Sequence, residues 1–255
     1  MIEIRREPTM IKTAIVTGAS GSIGGAIALK LSKADYCLVL TGHTAKQKLE
    51  QTARLCQKNH AKKETAVHTL YGDLSDPSTA DRLIKEGLSY LEHIDLLVNC
   101  AGISHIGLLG DMTDAEWDRI MNTNLSSAFY CCRSVIPSMV HQKSGHILNI
   151  SSVWGVSGAS CEVAYSAAKG GLNSFTKALA KELAPSGIAV NALACGMIDT
   201  PMNHCFSEEE IQAICEEIPA GRMGTTEEVA DLVLHLAESP VYLTGQIITM
   251  DGGWI

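Results

Sequence analysis

The chain has 255 residues, a length that fits one large α/β domain. Apolar residues make up 46% and aromatics only 5%, so alanine, glycine and valine must do much of the packing. A net charge of −8 argues against nucleic acid as a partner, because phosphate binding needs a basic face, and no stretch approaches the roughly 20 apolar residues of a membrane span.

Residues 1–9, within MIEIRREPTM, carry no hydrophobic signal core and are expected to form a disordered leader, with a single domain over 10–255. Residues 11–16 read as a β-strand and 26–31 have helical spacing. Between them lie Gly18, Gly21, Gly24 and Gly25. Strand, glycine-rich turn and helix form the context that a dinucleotide-binding loop requires. Glycine lets the backbone approach a pyrophosphate, and the helix N-terminus offers free N–H groups and a positive dipole end. An ordinary tight βα turn would read the same way. Further apolar runs at 37–40, 66–70, 96–98, 146–150, 189–192 and 247–250 read as buried parallel strands. Helices are expected between them, including 45–58, 79–91, 115–121, 127–142 and 163–183. The alternation implies right-handed crossovers and a doubly wound α/β sheet of parallel strands. The segment 199–221 interrupts the last crossover with Pro201, Pro219 and a helix expected at 208–217. The nine cysteines are odd in number and include no Cys-x-x-Cys pair, which reads as reduced thiols in the cytoplasm rather than a disulfide framework. Cys131 and Cys132 read as core packing in a helix. No HExxH or Cys/His ligand pattern calls for a metal.

Tyr165 and Lys169 share one face of the helix expected at 163–183, being at positions i and i+4. A lysine ammonium beside a phenol favours the phenolate, and an unperturbed tyrosine has a pKa of about 10. The pair therefore reads as a working acid/base. Ser152, thirteen residues before the tyrosine, supplies a hydrogen bond for an oxygen that gains charge. Each has a plainer reading: a solvated Tyr-x-x-x-Lys pair, and a serine at a strand end. Asn124 also reads as a helix N-cap before Leu125, and Asn99 as a link between strand ends.

Taken in order, TGASGSIG (17–24), GDLSD with Asp73 and Leu74, VNCAGI (98–103), NTNLSS with Asn124, the Ser152–Tyr165–Lys169 set, LACGMIDTPM (193–202) and the closing TGQIITMDGG resemble the short-chain dehydrogenase/reductase family. The resemblance runs from about Met10 to the C-terminus and, rather than periodicity, carries the fold expectation: α/β, a single doubly wound Rossmann-like domain with a parallel seven-stranded sheet and helices on both faces. It implies hydride transfer between a nicotinamide and a carbonyl carbon. Tyr165 would protonate the oxygen, with Ser152 hydrogen-bonded to it. Lys169 would hold the ribose and lower the tyrosine pKa, and Asn124 would hold a proton-relay water. The implied cofactor residues are Gly18, Ser20, Gly21, Ser22, Ile23 and Gly24 in the loop; Thr41, His43 and Thr44 after the second strand; Asp73 and Leu74 at the adenine; Asn99, Ala101 and Gly102; Tyr165 and Lys169; and Gly196, Ile198 and Thr200 at the nicotinamide. His105, Ser152, Trp154, Glu162 and Met202 would face the substrate, together with Cys161, under a lid formed by 199–221. Departures from the family pattern are Ser22 with Gly21 just before it, Cys100 for an asparagine and Cys195 for a proline. The stretch 38–48 holds no carboxylate, which points to NADP(H) rather than NAD(H), with Lys46 as a further phosphate contact. More narrowly, the chain resembles 3-oxoacyl-acyl-carrier-protein reductases. AGISHIGLLGDM, SSVWGVSGASCEVAYSAAKGG and ACGMIDTPMN are similar to reductases of a 5-aminopentanone adduct on elongation factor P. The substrate implied is a ketone, free or linked to a carrier or protein. A cofactor-binding regulator without catalysis is the reading from another class. A cytoplasmic homotetramer is expected, packed through 127–142 and 163–183, with Phe129, Ile136, Phe175 and Leu179 in either that interface or the core.

Overall fold

The computed structural model describes residues 11–59, 67–203 and 206–255. The expected leader and the domain start at Met10 lie outside the described residues, as do residue 66 of the third expected strand and residues 204–205 of the 199–221 segment. Strand β1 (Thr13–Val16) is followed by helix α1 (Ser22–Lys33). β2 (Cys37–Gly42) leads to α2 (Lys46–Asn59), and β3 (Val67–Tyr71) to α3 (Pro77–Leu91). After β4 (Leu96–Asn99) come α4 (Asp114–Met121), a π-helical turn (Asn122–Ser126) and α5 (Ser127–Gln142). β5 (Gly145–Ser152) precedes the short α6 (Trp154–Ser157) and the long α7 (Val163–Leu183). β6 (Ile188–Cys195) precedes α8 (Glu208–Glu217), α9 (Thr226–Ala237) and the closing β7 (Ile247–Met250). All strand pairs are parallel, in the order β3-β2-β1-β4-β5-β6-β7.

Alternating side chains of each strand serve two apolar layers. Ala14 and Val16 pack with Leu31 of α1, Leu49 of α2 and Val233 of α9. Ile15 points the other way, towards Ile84 of α3, Val135 of α5 and Leu183 of α7. Each such leucine, isoleucine or valine contributes about 1.5–3 kcal/mol on burial. Cys131 and Cys132 lie in the second layer, and the eight cysteines among the described residues are all free thiols. No helix among them is long and apolar enough to cross a membrane.

Two strands outrun the apolar segments that announce them. β5 and β6 each span eight residues, and Asn149, Ser151 and Asn191 are buried within them and find polar partners there. Asn149 Oδ1 accepts from Asn99 Nδ2 (2.8 Å) and its Nδ2 donates to Thr176 Oγ1 (2.9 Å). Ser151 Oγ donates to Asn173 Oδ1 (2.7 Å) and Asn173 Nδ2 to the Gly155 carbonyl (3.0 Å). These bonds fix the register of α7 on β5, and a buried polar group left unpaired would cost about 1–3 kcal/mol.

At the opposite end of β5, His146 Nε2 lies 3.1 Å from the Ser239 carbonyl oxygen. Burial pushes the imidazole below its ordinary value, against the pull of that carbonyl and of Asp95. The unfolded chain therefore takes up a proton first. The stability held by neutral His146 is complete above the unfolded value of about 6.5 and is lost as pH falls below it towards the folded value. Thermal unfolding should show Tm dropping with acid between pH 7.5 and 5, and His146→Gln should flatten that slope. An unaltered slope in the variant would contradict the assignment.

Candidate active site

The order of strand addition reverses between β1 and β4, and open α/β sheets bind ligands outside the carboxyl ends of the strands at such a point. There the segments following β1 to β6 surround one cleft of about 1380 Å³. The site residues expected from the sequence line it, except Lys46, Asn99, Asn124 and Cys161. Asn99 joins β4 to β5 through Asn149, as its plainer reading held.

The loop after β1 is shaped by backbone proximity. Gly18 has φ +65°, and a Cβ there would stand 2.9 Å from Ala101 Cα. A Cβ on Gly24 would stand 2.8 Å from the Gly18 carbonyl carbon. Gly21, the displaced glycine, sits at φ −83° as the N-cap of α1, with no side chain capping the helix. Gly21 N donates to the Gly18 carbonyl (2.9 Å), while the first turn of α1 presents its N–H groups to the cleft with no side-chain cap, a setting that suits an anion. Thr41, buried at the end of β2, has a hydroxyl with no hydrogen-bond partner. His43, Thr44 and Lys48 line the cleft beside it. Lys46 does not. Its ammonium stands over the Tyr71 ring, 4.9 Å from the centroid, so Lys48 takes the place expected for it. An uncapped helix, a glycine cradle and an orphaned hydroxyl are features that a nicotinamide dinucleotide would satisfy.

Tyr165, Lys169 and Ser152 meet in the other half. Ser152 ends β5, and Trp154 N donates to its Oγ (3.2 Å). Ser151, bonded to Asn173, is thereby committed to structure. Lys169 is buried; its Nζ donates to the Ile150 carbonyl (2.8 Å) and lies 5.6 Å from the Tyr165 ring centroid. The α6 backbone crosses α7 at this point: a Cβ on Gly155 would stand 2.6 Å from the Lys169 carbonyl carbon.

Asn124 is no N-cap. It lies in the π-helical turn between α4 and α5, where its Oδ1 accepts from Ile103 N (3.2 Å) and its Nδ2 donates to the carbonyls of Ile103 (2.9 Å) and Ile120 (3.0 Å). It holds the segment 101–103 in place. A Cβ on Gly102 would come 2.8 Å from Asn124 Oδ1 and 3.6 Å from Lys169 Nζ.

The electrostatics differ from the sequence expectation. Burial, and next the Glu162 carboxylate, push the Tyr165 phenol above its ordinary value, while a Ser152 hydrogen bond pulls the other way. Burial lowers Lys169 to about 8. Desolvation disfavours either charged form, so the phenol is raised, where the sequence expectation had Lys169 lowering it. The arrangement holds a proton on the phenol, the form a general acid needs. Cys100 and Cys195 also line the cleft; burial pushes both thiols up to about 12, so they remain neutral. Glu162 precedes α7, and its own carboxyl is raised by burial. His105, Trp154 and Met202 complete the expected substrate end. Trp254, Arg119 and Glu116 line the cleft as well and were not read from the sequence.

A glycine-cradled loop at the switch point, with serine, tyrosine and lysine from the β5–α7 unit facing it, defines a dinucleotide-dependent oxidoreductase of carbonyls and alcohols. The chain belongs to the short chain dehydrogenase family, whose model matches residues 12–211. It is 42% identical over 246 residues to the uncharacterized oxidoreductase YmfI of Bacillus subtilis, covering 96% of this chain and 99% of that protein. It is 38% identical over 243 residues to the 3-oxoacyl-[acyl-carrier-protein] reductase FabG of Aquifex aeolicus (95% and 96% covered). With FabG of Staphylococcus aureus it shares 37% over 245 residues (96% and 98% covered).

Proposed function

We propose that the chain reduces a ketone to an alcohol with NADPH. The cofactor supplies the hydride. Tyr165 gives its proton to the carbonyl oxygen as negative charge grows there, and Ser152 donates a hydrogen bond to the same oxygen. One preorganised donor of this kind is worth about 3 kcal/mol in the transition state. Lys169 holds the ribose hydroxyls and keeps a positive charge beside the phenol, and Asn124 fixes the 101–103 strip against which the cofactor lies. The observation that carries this reading is the convergence of Ser152, Tyr165 and Lys169 on the cleft that the glycine loop opens into. NADPH is preferred to NADH on the chemistry of the β2 end: His43 and Lys48 line it, and no carboxylate lies in 38–48. NADPH should show the higher kcat/KM, and Lys48→Ala should narrow its lead; a preference for NADH would overturn the cofactor assignment.

The substrate is a ketone on a carrier or a protein. The FabG relatives favour a 3-oxoacyl thioester, in keeping with their names. Glu162 favours the second reading, a 5-aminopentanone adduct on elongation factor P, because a half-buried carboxylate beside the reacting groups suits an amine. Assaying NADPH oxidation with a 3-oxoacyl thioester and with an aminoketone separates the two. Cofactor binding without turnover of any ketone would move the non-catalytic regulator ahead of both. Packing of α5 and α7 into a homotetramer is supported by Phe129 and Val163, which are exposed on those helices, whereas Leu179 belongs to the core. Light scattering tests it.

A further inference from the structure

The last five residues fold back towards the catalytic cleft. Gly253 N and Ile255 N donate to the two carboxylate oxygens of Asp251, both at 2.9 Å. Gly252 and Gly253 make the turn at φ +70° and +86°, a region that favours glycine. The turn is docked on both sides. Ala220 N donates to the Gly252 carbonyl (3.1 Å), and a Cβ on Gly252 would stand 2.8 Å from Ile218 Cγ2. Opposite, a Cβ on Gly196 would stand 2.7 Å from Asp251 Cβ. The tail is thus wedged between the end of the 199–221 segment and the loop after β6. It delivers Trp254 to the cleft wall, with its ring centroid 4.9 Å from that of Trp154 and the planes at 59°. Aromatic pairs prefer tilted or offset arrangements at this range. Trp154 stands two residues beyond Ser152 and donates its backbone N–H to that hydroxyl, so the indole pair stands at the Ser152 end of the cleft.

We propose that Trp254, braced by Trp154, is the end wall of the substrate pocket and limits the length of the group a ketone can carry beyond its carbonyl. The inference rests on the ketone-reductase reading. Two indoles held by a glycine turn and a carboxylate clamp form a stiff, apolar surface that cannot yield as a loop would. A chain anchored by its carbonyl at Ser152 and Tyr165 must end at that surface or turn aside.

The test is kcat/KM across an unbranched series of 3-oxo esters of rising chain length, for the parent enzyme, Trp254→Ala and Trp254→Phe. Trp254→Ala should raise the long-to-short ratio by about tenfold or more, the scale on which a pocket discriminates one methylene. Trp254→Phe should keep the parent ratio, and the KM for NADPH should stay put in both. An unchanged ratio in Trp254→Ala, or an equal loss on every ester, would assign Trp254 to structure alone and overturn the proposal. If the alanine variant does not fold, Trp254→Leu carries the same expectation at smaller size. Failure of the parent to reduce any ketone would sink the reductase reading and this inference with it; turnover with an unmoved ratio sinks only the inference.

Discussion

Tyr165→Phe should lower kcat by about 10²–10⁴-fold, the usual worth of a positioned general acid, while NADPH binds almost as before. Only the hydroxyl is removed. The ring, the α7 helix that carries it and the Asn149–Thr176 and Ser151–Asn173 bonds that seat the helix all remain. Burial and Glu162 hold the phenol above its ordinary value, so the parent keeps this proton throughout the neutral range. The pH profile therefore separates two groups. Lys169 loses its proton near pH 8. The ammonium is present below that value and absent above it, so the reductive kcat/KM should be level below about pH 8 and fall beyond it. Lys169→Met should erase that limb and leave a low, flat rate. If Tyr165→Phe retains most of its activity, or the limb survives in Lys169→Met, the assigned roles are wrong.

Gly24→Ala should abolish cofactor binding, measured as loss of NADPH fluorescence enhancement and of turnover. The added methyl would meet the carbonyl of Gly18, and the obstacle is backbone that no rotamer can relieve. The β1–α1 turn must open, at a cost of about 1–3 kcal/mol in stability for such overpacking, and the N–H groups at the start of α1 move off their target. Gly21→Ala is the control. Its Cβ would lie 3.3 Å from the Gly18 oxygen and its φ is negative, so binding should weaken only slightly. Equal binding by Gly24→Ala and the parent would show that the loop does not hold the dinucleotide.

The fold was legible wherever burial is apolar. The bounds of α5, α7 and α8 coincide with those read from helical periodicity, and the seven strands were found from their apolar runs. The end of β5 was not, because Ser151 and Ser152 look like loop until the partners of Ser151 on α7 are known; β6 runs on through Leu193, Ala194 and Cys195, apolar residues left outside the expected run. The expected elements did not include α9, although Thr225 and Glu228 form a capping box, the Thr-x-x-Glu signature that marks a helix start. At the site, Tyr165, Lys169 and Ser152 could be chosen because local spacing links them. Trp254 could not. It reaches the cleft through contacts with residues 196, 218 and 220, and nothing near it in the chain announces them. Nor could the direction of the phenol's titration be read, since desolvation depends on what the whole fold places around the ring.

The π-helical turn that seats Asn124 also constrains the length of the gene product. The turn takes in one residue more than an α-helix would, and that extra residue shifts everything downstream by about 100° of rotation. Deleting a single residue between Asn122 and Ser126 would straighten the helix and swing the Asn124 amide off the Ile103 backbone. Among homologous chains, gaps in an alignment should therefore avoid this stretch, even where the identities of its neighbours drift freely.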